Sequence, residues 1–439
     1  MSKLQIILIA VFSIVALIAV LMFAGLIPGF KGGGGQITGA AVTMWGIFPQ
    51  QQMTQLVQTL NENNKALFQL SYKEQKLVDY RDTLLNAMAS GNGPDIWMMT
   101  QDIIISDKSK VYLIPFQSIN ERDFKDTFID EGELFFNYQK DVSNNTTKSI
   151  IGLPLAIDPI VLFWNKDIFS SNGVSQPPKT WDEFMTDVQT FTQKDEAGNI
   201  ITAGTAMGKF SNIKNAKYIL SMLILQGGNE IIEPDTMDVV LGEKGNNLID
   251  PAESALRFFN EFSNPNKISY TWNEALPSSE TMFSNGSLAM YFGFASEMDT
   301  IKQKNPHLNF DITEVPQIKD SKNKTTFGKI YGLVISKSSK NLQASFSAIA
   351  AMANADFERQ FSNAFNLGPA RRDILAEKAT SPFLSVVYKS SIMSKAWLEP
   401  DPAQVSAIFK NMVESTASGR TNFSDAISNA KRQIEQLLR

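Results

Sequence analysis

Val42-Thr43-Met44-Trp45, then Met53, Leu56, Val57 and Leu60, then Phe68-Gln69-Leu70-Ser71-Tyr72: this stretch decides the fold class. The first run is short and apolar, the second set recurs at helical spacing, and the third alternates as a strand does. A further helical set, Tyr80, Leu84, Ala87 and Met88, closes at Ser90-Gly91. The turn Asn92-Gly93-Pro94 then leads into Asp95-Ile96-Trp97-Met98-Met99. Strand, helix, strand, helix, strand in that order implies an α/β protein with a parallel sheet covered by helices. In such sheets ligands sit beyond the carboxyl ends of the strands.

The pattern continues outward. Thr180-Trp181-Asp182-Glu183 reads as a capping box, with Trp181, Phe184, Val188 and Phe191 on one helical stripe. Pro177-Pro178 fixes an extended entry, because neither residue can donate a backbone hydrogen bond. Asp195-Glu196-Ala197-Gly198-Asn199 reads as a hairpin tip and Glu253 to Phe262 as a helix. A C-terminal helix carries Phe423, Ile427, Ala430, Ile434, Leu437 and Leu438. No internal repeat is visible.

The chain has 439 residues, 43% of them apolar, with 40 Lys+Arg against 45 Asp+Glu and a net charge of −5. That length suggests two or three domains with full cores. Zero cysteine removes disulfides, thiolate metal sites and thiol nucleophiles, and the one histidine, His307 in a turn-like Asn-Pro-His, cannot build a multi-histidine metal centre. The mildly acidic balance without a basic stripe argues against nucleic acid.

Residues 4–27 are apolar except for Gln5 and Ser13, long enough to span a membrane, and lack a clean small-x-small cleavage site. They are expected to be a retained transmembrane anchor or uncleaved signal, with 28–36 as a Gly-rich linker to an exported ectodomain.

Catalytic signatures are sparse. Gly242-Glu243-Lys244-Gly245 lacks Walker spacing, and no dinucleotide-binding glycine motif follows a strand. The enzyme chemistry left open is a carboxylate pair, as in glycoside hydrolysis. The aromatics are more telling: Trp45 at a strand end, Trp272 in Tyr270-Thr271-Trp272-Asn273-Glu274, and Trp397 in Ala396-Trp397-Leu398-Glu399-Pro400. Rings beside turns can stack on a sugar's C–H face while carboxylates and amides take its hydroxyls. The competing reading for each Trp is ordinary core packing.

Gly152 to Phe169, Gly-Leu-Pro-Leu-Ala-Ile-Asp-Pro-Ile-Val-Leu-Phe-Trp-Asn-Lys-Asp-Ile-Phe, followed by Pro177-Pro178-Lys179-Thr180-Trp181-Asp182-Glu183-Phe184, closely resembles the extracellular solute-binding proteins of the maltose-binding type. Ala89 to Ile96, Phe283 to Met290, Tyr331 to Lys340 and Ala417-Ser418-Gly419-Arg420 resemble further pieces of that family in the same order. The resemblance implies a two-lobed periplasmic-binding-protein type II fold, with lobe 1 at 37–156 and 316–352 and lobe 2 at 157–315 and 353–439. It also implies a monomeric, non-enzymatic binder without cofactor or metal, on the outer membrane face, that delivers a sugar or oligosaccharide to the permease subunits of an ABC transporter. Glycerol phosphate and polyamine are the alternative solutes. Carried over by position, the resemblance points to Asp102 and Asp158 as sugar-binding carboxylates, Tyr218 and Phe294 as aromatic contacts, and Arg371 as a forked donor. Phe294 stands where the family often has Trp, and Ser406-Ala407 replaces an aromatic pair, a loss that Trp397 is expected to compensate.

Overall fold

The computed structural model of the protein describes residues 39–140, 146–244 and 250–439. The first five elements follow the sequence reading: strand β1 (Ala40–Gly46), helix α1 (Gln50–Asn63), β2 (Phe68–Glu74), α2 (Tyr80–Ala89) and β3 (Ile96–Thr100). β1 pairs in parallel with both β2 and β3. Met53, Leu56, Val57 and Leu60 are the buried face of α1, at the spacing that puts residues on one side of a helix. β3 is covered on both faces. Ile96 and Met98 enter one core, while Trp97 and Met99 enter the other, because successive strand residues point to opposite sides.

Two long strands carry the chain between the halves of the molecule. β4 (Leu153–Asn165) is buried at every position but Trp164. Helix α3 (Trp181–Phe191) starts at the capping box: Thr180 Oγ1 accepts from Glu183 N at 3.3 Å while Glu183 Oε2 accepts from Thr180 N at 3.2 Å. β5 (Ile200–Thr205), α4 (Ala216–Gln226), α5 (Pro251–Glu261), β6 (Leu288–Phe294), α6 (Glu297–Lys304) and β7 (Phe310–Thr313) follow. Then comes the second long strand, β8 (Thr326–Ile335). The first part of β4, from Leu153 to Pro159, pairs antiparallel with β8, and its second part, from Ile160 to Trp164, pairs with β6. β8 in turn pairs with β3 through Tyr331 to Ile335. One continuous sheet, ordered β2-β1-β3-β8-β4-β6-β5, therefore runs through both lobes.

The C-terminal portion supplies α7 (Leu342–Met352), α8 (Ala355–Phe365), α9 (Pro402–Ala417) and α10 (Phe423–Leu437). The expected boundary at 352/353 falls between α7 and α8. Phe357, Phe361 and Phe365 of α8 pack in the same core as β1, and Phe48 lies 4.9 Å from Phe361 and 4.7 Å from Phe365 between ring centroids. The division at 352/353 thus falls between two helices of one core, and the third passage comes later, where Gly368–Pro369 pairs with Ala156 and Ile157 of β4. At the other boundary, Gln226 Nε2 donates to Pro316 O at 3.1 Å and Thr325 O at 2.7 Å, which ties 316–325 to α4 instead of to lobe 1. The hairpin tip at 195–199 forms as read, with Asn199 N donating to Asp195 Oδ1 at 2.8 Å. The expected anchor at 4–27 and linker at 28–36 lie outside the described residues. No helix within the described residues is long and apolar enough to cross a membrane.

The β4–β8 contact has no slack at its start. A Cβ placed on Gly152 would lie 2.5 Å from Leu333 O and 2.5 Å from Val334 Cγ1, and a backbone carbonyl in a paired strand cannot retreat cheaply. Gly152→Ala is expected to cost about 1–3 kcal/mol in urea unfolding, the range for overpacking a filled interior. An unchanged midpoint would show that the two strands can separate there.

Candidate ligand-binding cleft

Asp158 on β4 and Lys329 on β8 are directly opposed in the antiparallel register, so both side chains leave the same face of the crossing strands. Asp158 is 2% exposed. Its Oδ1 accepts from Ser296 N at 3.0 Å and its Oδ2 from Ser296 Oγ at 2.5 Å, at the turn between β6 and α6. Burial pushes its carboxyl up to about 6, while the Ser296 donors and the Lys329 charge pull the other way.

The end of β6 brings in Phe294, whose backbone N–H donates to Glu297 Oε1 at 3.1 Å. Asn215, just before α4, donates to the same oxygen at 2.8 Å, so one carboxylate fixes β6 and α4 together. Tyr218 on α4 then meets Phe294 edge to face at 5.2 Å between centroids and Phe327 of β8 at 5.1 Å. Burial, reinforced by the carboxylates of Asp102 and Glu399, raises the Tyr218 phenol well above its ordinary range. Asp102 follows β3 and is buried, with Thr100 Oγ1 donating to its Oδ1. The neighbouring Gln101 binds β8 through its Oε1, which accepts from Ile330 N at 2.9 Å.

Four of the expected residues, Asp102, Asp158, Tyr218 and Phe294, therefore converge on the β4–β8 crossing. Four more that sequence reasoning did not name converge with them. Lys217 and Glu399 form a buried ion pair at 2.7 Å. Burial pushes Glu399 up to about 7 against the pull of Lys217, with Asp102 adding to the rise. Tyr331 of β8 is buried beside Asp158 and Asp102, and burial followed by those two charges raises its phenol. Lys329 places its Nζ 4.9 Å from the Phe294 centroid and 5.1 Å from that of Tyr218. Glu399 stands two residues after Trp397, in the stretch the sequence reading singles out for its tryptophan.

The remaining candidates lie elsewhere. Trp272 is fully buried, with Nε1 donating to Asn212 Oδ1 at 2.9 Å. Trp397 is 1% exposed, stacks on Phe409 at 6.1 Å and donates to Ser221 Oγ at 3.3 Å. Both are core residues, because their rings are enclosed and their N–H groups already have partners. Arg371 is spent on Asp373, at 2.9 and 2.8 Å, and on Ala353 O at 3.1 Å, so its fork holds the chain near the third passage. Trp45 is half-buried at the end of β1 with Lys73 Nζ 4.9 Å above its ring. Among the described residues no hydrogen bond or ring contact joins it to the cluster. No group of acidic or histidine side chains among them could hold a metal ion.

One sheet crosses between two lobes, and aromatic faces and charged groups gather at the crossing. Residues 55–384 match the sequence profile of the bacterial extracellular solute-binding proteins, and the chain belongs to that family. The diacetylchitobiose binding protein DasA of Streptomyces coelicolor is 24% identical over 294 residues, a match covering 65% of this chain and 62% of that relative, less than two thirds of its length. Among solved structures, the cyclic α-maltosyl-1,6-maltose binding protein of Arthrobacter globiformis superimposes with a TM-score of 0.72 at 17% identity, covering 91% of this chain and 99% of that one. A Thermotoga lettingae ABC-transporter solute-binding protein bound to α-D-tagatose gives 0.65 at 19% identity, over 91% of this chain and all of that one. These likenesses establish the two-lobed fold.

The raised Asp158 carboxyl makes stability depend on pH. Its folded pKa of about 6 exceeds the ordinary 3.8, so the native state binds the proton more tightly than the unfolded chain between those values. Stability from this group is greatest below the lower value and is lost as pH rises towards the upper one. The urea midpoint of the parent should therefore fall relative to that of Asp158→Asn between about pH 4 and about pH 6 and run parallel above it. Curves parallel throughout would show that Asp158 is not buried in solution.

Proposed function

We propose that this chain is a membrane-tethered, extracellular solute-binding protein that captures a sugar or oligosaccharide between its lobes and hands it to the permease subunits of an ABC importer. The observation that carries this reading is the convergence of the Tyr218 and Phe294 rings with the Asp102 and Asp158 carboxylates at the crossing strands. A pyranose offers a C–H face to aromatic rings and hydroxyls to acceptors, and hydrogen bonds to ionised groups are the stronger kind. The saccharides named for the similar proteins, from a monosaccharide to a cyclic tetrasaccharide, fit the same chemistry.

Lobe 1 is assigned to the chain up to the middle of β4 together with the second half of β8, α7 and α8, and lobe 2 to the rest. A ligand that touches Asp102 from the first and Phe294 from the second gains contact energy only when the lobes approach, which is what drives closure. The apolar segment 4–27 serves as the anchor, the protein acts as a monomer, and no bond of the ligand is broken. A carboxylate-pair hydrolase is the weaker reading, since Asp158 is committed to Ser296 and Glu399 to Lys217.

The test is calorimetric titration of the full chain, in a detergent without a sugar headgroup, against tagatose, diacetylchitobiose and linear and cyclic maltooligosaccharides, with product analysis alongside. Saturable binding of intact saccharide is expected. Phe294→Ala should weaken it by about tenfold or more, as the loss of a buried ring contact does. Trp272→Ala should lower thermal stability and leave the affinity of the folded fraction unchanged. No binding across the panel, or release of hydrolysed product, would refute the reading.

A further inference from the structure

Lys329 is the cation of the cleft that lacks an assigned anion. The other two lysines nearby are committed, Lys217 to Glu399 at 2.7 Å and Lys214 to Glu280 at 2.6 Å and Glu297 at 3.2 Å. Asp158, directly opposite Lys329 in register, has both oxygens on Ser296. Among the described residues the Lys329 ammonium makes no ion pair or hydrogen bond, and it stands instead over the rings of Phe294 and Tyr218. It thus occupies the aromatic faces on which a ligand would stack. Two ring faces with the carboxylates of Asp158 and Glu399 nearby form an electrostatic seat for an ammonium group, and the chain fills that seat with its own side chain.

We propose that Lys329 is a ligand-contacting, specificity-determining residue that restricts the cleft to neutral polyhydroxyl ligands: the ammonium leaves the Phe294 and Tyr218 faces as a sugar ring stacks there and donates to an oxygen of that sugar. This rests on the saccharide reading above and narrows it. A cationic ligand such as a polyamine meets an occupied seat and a second lysine, Lys217. An anionic ligand such as a glycerol phosphate meets Asp102, Asp158 and Glu399. A neutral saccharide supplies what the lysine needs, an oxygen acceptor, without adding charge to a site that already holds both signs. A charge-assisted hydrogen bond gained only on binding favours the bound state, whereas the displaced ammonium–ring contact is modest.

Lys329→Met keeps the aliphatic stem and removes the charge. With the same full-chain titration, the folded variant should bind the preferred panel saccharide about tenfold more weakly. It should also gain saturable binding of choline, which the parent does not bind; misfolding cannot mimic that gain. Saccharide affinity equal to the parent's, or a variant that takes up no choline, would overturn the assignment while leaving the saccharide reading intact. A parent that binds no saccharide would overturn both.

Discussion

The antiparallel pairing of β4 with β8 is the constraint on which the rest of the molecule depends. Leu153 to Pro159 and Gly328 to Leu333 hold one another by backbone hydrogen bonds, and each strand continues into the other half of the sheet, β4 to β6 and β8 to β3. Two cores therefore share one ladder, and a third passage at Gly368–Pro369 is pinned to the same strand. A polar group at this junction is far from bulk water yet touches both lobes. The register sets which residues those are: one slip would send Asp158 and Lys329 to the opposite face and replace them with their neighbours Ile157 and Ile330.

Much of the architecture is legible in sequence because it is locally encoded. The alternation from β1 to β3 is written in hydrophobic period alone, and the α3 start is written in Thr180 and Glu183, three residues apart, which find each other without help from the fold. The lobe boundaries were less legible for the opposite reason. Phe357, Phe361 and Phe365 announce a helix with an apolar face, but nothing local says which core that face joins. The answer lies in Phe48, on the other side of the chain. Likewise Gln317 pairs with Thr180 and carries no signal of its own, so nothing local in 316–325 announces its contacts with Thr180 and Gln226.

The candidate site divides along the same line. Asp102, Asp158, Tyr218 and Phe294, which family-like motifs bracket, are brought together by the fold. Trp272 and Trp397 were drawn in by residue type, and a tryptophan beside a turn is the same string of letters whether its ring faces a ligand or Phe409. What separates the two cases is whether the indole N–H already has a partner, and Asn212 and Ser221 are distant in sequence. Lys217, Lys329, Tyr331 and Glu399 carry no motif at all. Their signal is mutual placement, visible only once α4, β8 and the segment before α9 are assembled around β4.

Placing these charges at the junction costs stability, since Asp158 and Glu399 are stripped of water. Glu399 and Asp158 both answer by holding their protons more tightly than a free carboxyl does. A chain selected for stability alone would fill the crossing with aliphatic side chains, as it does for Leu155, Ile157 and Ile330, which are fully buried on the same two strands. The charges persist on the face that Asp158 and Lys329 share. On the proposed reading, a ligand exchanges its own water there for fixed acceptors and donors, and the gain appears when both lobes contribute. On that reading the desolvation is already borne before a ligand arrives, which is preorganisation by the same strands that hold the lobes together.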